Sequence, residues 1–177
     1  MKAVVVYESM YGNTHLVADA VADGLRGGGI EVAVVPVGDA DAGRVADADL
    51  LVVGGPTHVH SLSRPSTRKA AVEAAEKPDS VLEVDPDAEG AGLRDWFDGL
   101  APLTGDAAAF DTRIDASAVL TGRASKGIAK RLRKHGATLV AEPESFLVTK
   151  ESHLLDDESA HARAWGARLA ALKAPAT

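Results

Sequence analysis

Cysteine is missing altogether from this 177-residue chain. That absence removes disulfides, thiolate metal ligands, iron–sulfur ligation and cysteine nucleophiles together. Aromatic residues are scarce, at 4%, so any ring packing or stacking falls to a handful of side chains. No apolar run is long enough to span a bilayer. Positive charge is in deficit: 19 Lys and Arg stand against 26 Asp and Glu, a net charge of -7. That balance argues against nucleic acid and anionic membranes as partners. It suits docking on a basic patch of another protein, or simply solubility. Met1-Lys2 leads straight into an apolar run with no secretory leader before it, so a cytoplasmic protein is the expectation. Apolar residues at 46% over this length suit one domain with a full core, residues 1–177.

The remainder is organised around Val4-Val5-Val6-Tyr7-Glu8-Ser9-Met10-Tyr11-Gly12-Asn13-Thr14. Val4 to Tyr7 is a short β-branched and aromatic run, the profile of a parallel strand covered on both faces. Leu16, Val17, Ala20, Val21 and Leu25 follow at helical spacing. Between them Ser9, Gly12, Asn13 and Thr14 crowd into a tight polar loop. A helix N-terminus carries unpaired N–H groups and a partial positive charge, so this loop suits a phosphate. Ordinary capping by Asn13 or Thr14 is the simpler alternative. The loop lacks both the G-x-G-x-x-G and the G-x-x-x-x-G-K-[ST] spacings, and it holds no Lys or Arg. Dipoles and hydrogen bonds would have to neutralise the ligand, which fits one terminal phosphate better than a triphosphate.

Further along, strands and helices alternate. A helix over 13–25 ends at Gly27-Gly28-Gly29, and Ile30 to Val37 reads as a second strand, placed at a sheet edge by Pro36. A turn of helix is predicted near 42–46. Leu50 to Gly55 is a third strand, unbroken and apolar, hence central. A loop over 56–66 follows it, and a helix begins at Ser66 or Thr67. Residues 78–92 are acidic and rich in turn formers; they are predicted to leave the core and to be its most mobile part. Leu93 to Leu100 has helical periodicity, with Trp96 either packed in the core or beside a ligand. Asp106 to Phe110 is a fourth strand, with Asp111 to Asp115 as the loop leaving it. There Arg113 either pairs with Asp111 or Asp115 or touches a ligand. Thr121 to Gly127 lacks P-loop spacing and opens a basic helix reaching Lys134. The fifth strand comes in two pieces around Pro143, and a last helix covers 156–172.

The strand ending in Tyr7, followed by Ser9-x-x-Gly12-Asn13-Thr14 and Ala18, resembles the phosphate loop of the flavodoxins. Gly55-Pro56-Thr57, the Ala-Ala-Phe-Asp-Thr-Arg run at 108–113, and Pro143 with Glu144 to Val148 are similar to the same family. The insertion that long-chain members carry in their last strand is missing, so the resemblance is to the short-chain form. It implies an α/β fold: an open five-stranded parallel sheet, order 2-1-3-4-5, with helices on both faces. It also implies FMN. Ser9, Met10, Tyr11, Gly12, Asn13 and Thr14 would hold the phosphate. Pro56, Thr57, His58, Val59 and His60 would line the ring, and Phe110, Asp111, Thr112 and Arg113 would close the other side. The flavin would supply the redox chemistry and the protein its position and electrostatics. The expected role is electron transfer to a redox protein or a small acceptor, by a monomer or weak homodimer. An NAD(P)H:quinone-type flavoenzyme, with Arg64, Arg68 and Lys69 receiving the nucleotide, and a flavin-free interaction module are the alternatives. Flavodoxins usually stack Trp or Tyr on the ring; here the second loop offers His58 and His60 instead. Either histidine would favour the anionic reduced ring and raise its potential. Their spacing also fits a metal pair with His15 or an Asp of the third loop as a third ligand, but sites at this spacing usually need a clear third and fourth ligand.

Overall fold

The computed structural model describes residues 1–58, 61–86, 88 and 90–173. β1 (Lys2–Tyr7) leads through a short loop into α1 (Asn13–Gly27), and β2 (Glu31–Pro36) follows. A 3-10 turn and α2 (Ala42–Ala46) then precede β3 (Leu50–Pro56). α3 (Pro65–Ala75) and α4 (Leu93–Gly99) separate β3 from β4 (Asp106–Ile114). α5 (Ala118–Thr121), α6 (Ala124–Lys134), β5 (Thr138–Leu139), β6 (Glu144–Val148) and α7 (Glu158–Lys173) complete the chain. The strands are parallel in the order β2-β1-β3-β4-β5. This is the predicted sheet order. β5 and β6 share the fifth position: β5 pairs with Asp106 and Ala107, and β6 with Phe110 to Ile114.

Period-two alternation sorts the strand side chains onto two faces. Val5, Tyr7, Val52, Ala108 and Phe110 meet Val17 and Leu25 of α1 and Trp165 and Leu169 of α7. Val4, Val6, Leu51, Val53 and Ala109 meet Leu93 and Phe97 of α4 and Ile128 and Leu132 of α6. α1 and α7 approach backbone to backbone. A Cβ on Gly24 would lie 2.0 Å from the Arg163 carbonyl oxygen, and one on Gly166 2.1 Å from that of Val21. Neither oxygen can move without its helix. Gly24→Ala should therefore destabilise the fold by about 1–3 kcal/mol through overpacking, although alanine is the better helix former. Urea unfolding measures this, and an unchanged or raised midpoint would contradict such close packing.

Two expectations change, and the choice left open for Trp96 is decided. Strand β4 continues through Asp111, Thr112 and Arg113, so these residues belong to the sheet and the loop begins beyond Ile114. The extension has partners on both sides: Pro56 of β3 sits opposite Thr112, and β6 runs to Val148 opposite Ile114. Trp96 packs against the second face and donates from Nε1 to the Ala40 carbonyl at 2.8 Å, which is the core reading. Within segment 78–92, Asp85 and Ala88 return to the body of the fold. Asp85 N donates to the Met10 carbonyl at 2.8 Å, and Ala88 is buried with Met10 and Ala71. Among the described residues no helix is long and apolar enough to cross a membrane.

Candidate functional site

The carboxyl ends of β1, β3 and β4 lie side by side, where a parallel sheet of this order opens a crevice. The first loop turns at Gly12, the residue before α1, with φ +82°. That left-handed conformation costs other residues about 1–2 kcal/mol and leaves glycine unstrained. Leu16 N bonds to the Gly12 carbonyl, so α1 starts there. The amides of Asn13, Thr14 and His15 precede the first intrahelical bond and have no acceptor among the described residues.

Side chains around these amides are held yet keep donors in reserve. Buried Ser9 accepts the Gly12 N–H through Oγ at 3.1 Å, which leaves its own O–H to donate. Asn13 Nδ2 donates to the Ser152 carbonyl at 2.8 Å and has a second hydrogen. Thr14 and Thr112 share one hydrogen bond between their Oγ1 atoms at 2.8 Å, so one of the two hydroxyls remains able to donate. Three free amides and several O–H or N–H groups, with no lysine or arginine in the loop, form a donor set suited to a phosphomonoester. Among the described residues, buried Asp85 faces His15 Nδ1 at 3.5 Å and Asp19 lies 3.8 Å from Nε2, while His15 stacks on Tyr7 with ring centroids 4.4 Å apart. No three His, Asp or Glu side chains converge as a metal centre would require, among the described residues.

Above the sheet these parts form a cleft of about 160 Å³. Met10, Tyr11, Asn13 and Thr14 enter from the first loop, Pro56, Thr57 and His58 from the second, and Thr112 and Arg113 from β4. Ile114, Val148 and Ser152 also line it. Tyr11, Asn13 and Ser152 are shared with a second cleft of about 470 Å³, walled by residues 81–83 and 151–154. The pair together reaches the size range of cofactor pockets. Met10 is buried beneath the first loop; the Tyr11 hydroxyl donates to the Ala71 carbonyl at 3.0 Å, and burial raises its pKa above the ordinary 10.0. Ser152, with φ +62°, was not a predicted site residue, and nothing in a Lys-Glu-Ser-His sequence marks it. Val59 and His60 lie outside the described residues.

Four of the predicted residues, Ser9, Gly12, Phe110 and Asp111, do not line the cleft. Phe110 is wholly buried, edge-on to Phe146 and Trp165. Asp111 is wholly buried too: Oδ2 accepts from Ser125 N at 2.7 Å and from Thr57 Oγ1 at 3.1 Å, while Thr57 Oγ1 accepts from Ala124 N at 2.9 Å. Asp111 and Thr57 thus cap α6 from β4 and β3. The chain's own carboxylate fills that helix terminus, and the Thr121–Gly127 stretch is no second phosphate loop.

Arginines brace the second loop from below. Arg94 Nε donates to the Ser63 carbonyl at 2.8 Å, and its Nη2 to the Leu62 carbonyl at 3.1 Å and Ser61 Oγ at 3.2 Å. Arg68 is buried, donating to Ser63 Oγ at 3.2 Å and Asp95 at 3.1 Å. Ser63 in turn donates to buried Glu8, whose Oε2 accepts Leu93 N at 2.8 Å and so caps α4. Lys69 lies 3.8 Å from Glu73. Arg68 is therefore structural and not free to receive a nucleotide phosphate.

His58 sits over this cluster, and its backbone exchanges two hydrogen bonds with Ser61, at 2.7 and 3.0 Å. Burial holds its imidazole below the ordinary 6.5; Glu8 opposes that shift and Arg68 adds to it. A histidine lowered on folding is protonated first in the unfolded chain. Stability should therefore fall as pH drops below about 6.5, and level off once folded His58 also protonates. Thermal melts of the wild type minus His58→Gln between pH 7 and 5 isolate this contribution. Parallel curves for the two proteins would contradict it.

Comparison with known proteins agrees with the geometry. The sequence model of the flavodoxin family matches residues 5–87, which carry β1, the first loop, β3 and the second loop. An uncharacterized protein of Methanocaldococcus jannaschii is 40% identical over 60 residues, 32% of this chain. The match spans only 15% of that curated relative's length. Among solved structures, a flavodoxin from the domain Archaea superposes with a TM-score of 0.66 at 22% identity, covering 98% of this chain and 100% of that one. A flavodoxin of Streptococcus pneumoniae gives 0.67 at 20% identity over 98% and 100%. At such identities the superpositions speak for the fold. The flavodoxin family model thus spans both leading loops, and the sheet order and superpositions are those of the flavodoxin-like fold.

Proposed function

We propose that this protein binds FMN in the crevice over β1, β3 and β4 and carries electrons between partners. The observation that carries the reading is the N-terminus of α1: three amides without acceptors among the described residues, opening on a cleft that three strand ends line. Asn13, Thr14 and His15 would bind the phosphate through backbone N–H groups, helped by the Ser9 hydroxyl. Pro56, Thr57 and His58 would flank the ring from one side, and Thr112 and Ile114 from the other. When bound, the flavin supplies one- and two-electron chemistry. The chain supplies position, partial exclusion of water, and a mainly neutral imidazole at the second loop. The net charge of -7 favours a partner with a basic docking face.

The rival flavoenzyme reading needs a cationic site for a pyridine nucleotide, and the commitment of Arg68 to Ser63 and Asp95 weighs against it. The test is direct. Purified protein is mixed with FMN, desalted and scanned in the visible, then reduced with dithionite and mixed with a basic cytochrome c. A retained flavin spectrum and rapid cytochrome reduction, with no steady oxidation of NADH or NADPH alone, are expected. Loss of all flavin on desalting together with no saturable binding would overturn the proposal, and sustained NAD(P)H turnover would move it to the oxidoreductase reading.

A further inference from the structure

Arg113 is the only lysine or arginine among the described residues lining the cleft. Its Nη1 is spent on the loop that follows β4. It donates to the Ala116 carbonyl at 2.7 Å and lies 3.4 Å from the Ile114 carbonyl and 3.5 Å from Thr121 Oγ1. Its Nε is different: it is shielded from water and has no acceptor among the described residues. A shielded N–H on a charged group is costly to leave unpaired. Among the described residues no ion pair within 4.0 Å joins Arg113 to Asp111 or Asp115. The guanidinium thus keeps one unpaired donor on a residue that lines the cleft.

Its position says what it would meet. Thr112 reaches the first turn of α1, where its hydroxyl touches that of Thr14. Arg113 is the next residue of the strand, so its side chain leaves on the opposite face. There it joins the loop around α5, on the side where Thr57 and Asp111 cap α6. A ligand anchored by phosphate at α1 would bring the other end of the molecule to Arg113. For FMN that end is the isoalloxazine, whose pyrimidine edge carries carbonyl and ring-nitrogen acceptors, and on full reduction a negative charge. We infer that Arg113 is a ring-recognition residue: Nε donates to the pyrimidine edge and favours the reduced, anionic ring. This rests on the FMN reading and deepens it. The phosphate end holds no lysine or arginine, and the ring end holds Arg113.

Because Nη1 also holds residues 114–121, occupancy of the cleft and order in that loop share one guanidinium. Val119 and Leu120 stand exposed on it, at 88% and 70%. A removed arginine would therefore loosen the loop as well as the ligand, and the test separates the two effects. FMN, riboflavin and glycerol phosphate are titrated into wild type, Arg113→Gln and Arg113→Lys, and the midpoint potential of bound FMN is measured in each. Arg113→Gln should weaken FMN and riboflavin by the same factor, about tenfold, and leave glycerol phosphate unchanged. It should weaken reduced FMN about tenfold more than oxidised FMN, a fall of about 59 mV if one electron is involved. Arg113→Lys keeps the charge and should recover most of the potential but not the full affinity. Weakening of FMN and glycerol phosphate alone would make Arg113 a phosphate ligand and overturn the inference. So would equal potentials in all three proteins, which a purely structural role in the loop predicts. If wild type binds glycerol phosphate but no flavin, the parent reading fails at the ring; if it binds FMN normally while Arg113→Gln behaves like wild type, only this inference fails.

Discussion

Glu8→Ala should destabilise the protein by about 3 kcal/mol or more, the range for stripping one member from a buried charged cluster. Glu8 is 4% exposed. Its two oxygens do separate jobs: one accepts from Ser63, which also binds Arg68, and the other caps α4 through Leu93 N. Removing them strands the Leu93 amide and leaves the buried Ser63 hydroxyl, which holds Arg68, without its acceptor. Gln in place of Glu keeps the shape but turns one acceptor into a donor, so Glu8→Gln should cost a substantial part of the same amount. Changing Arg68 to Met alone should also be costly, whereas Glu8→Gln with Arg68→Met should cost less than the two single changes summed. Urea unfolding of the four proteins measures this coupling. A cost below about 1 kcal/mol for Glu8→Ala, or strict additivity in the pair, would contradict the cluster. The same carboxylate ties the first loop to the second, so the cluster sets the mouth of the cleft as well as the stability of the fold.

The second large effect concerns the ligand's phosphate. FMN should bind about 10²- to 10³-fold more tightly than riboflavin. The helix terminus contributes up to about 2 kcal/mol to an anion in a partly buried site, and charge-assisted hydrogen bonds about 1.5–3 kcal/mol each before the cost of desolvation. Changing Ser9, Asn13 and Thr14 together to Ala should remove a large share of that preference while leaving riboflavin affinity nearly as it was. The amides stay, so a residue of preference should remain. Fluorescence titrations with both flavins give the ratio. Equal affinity of the wild type for the two would mean that the loop is an ordinary strand-to-helix turn.

Much of this arrangement was legible in the chain. Val4 to Tyr7 and Leu50 to Gly55 are apolar on both faces, and both form central strands. Pro36 marked β2 as an edge, and Pro143 marked the break between β5 and β6. Gly12 among Ser and Thr residues located the turn into α1. What stayed hidden depends on contacts distant in sequence. Asp111 reads as a loop residue because a carboxylate in a strand interior is costly, and only the N-terminus of α6 and Thr57 make its burial tolerable. Nothing in the sequence marks Glu8 for burial; its partners lie 55 and 85 positions away. The acidic 78–92 segment reads as an outward loop, yet Asp85 and Ala88 dock it against Met10 and Ala71. Periodicity sees burial against a sheet or helix, but it cannot see a polar residue paired across the fold.

The central claim is that backbone amides at the start of α1 receive the phosphate, and amide NMR reads those groups individually. In ¹⁵N-labelled protein, FMN should shift the resonances of Asn13, Thr14 and His15 far more than the rest of α1, and riboflavin should leave them nearly in place while still shifting His58. Shifts confined to the second loop, with the amides of residues 13–15 unmoved by FMN, would contradict it.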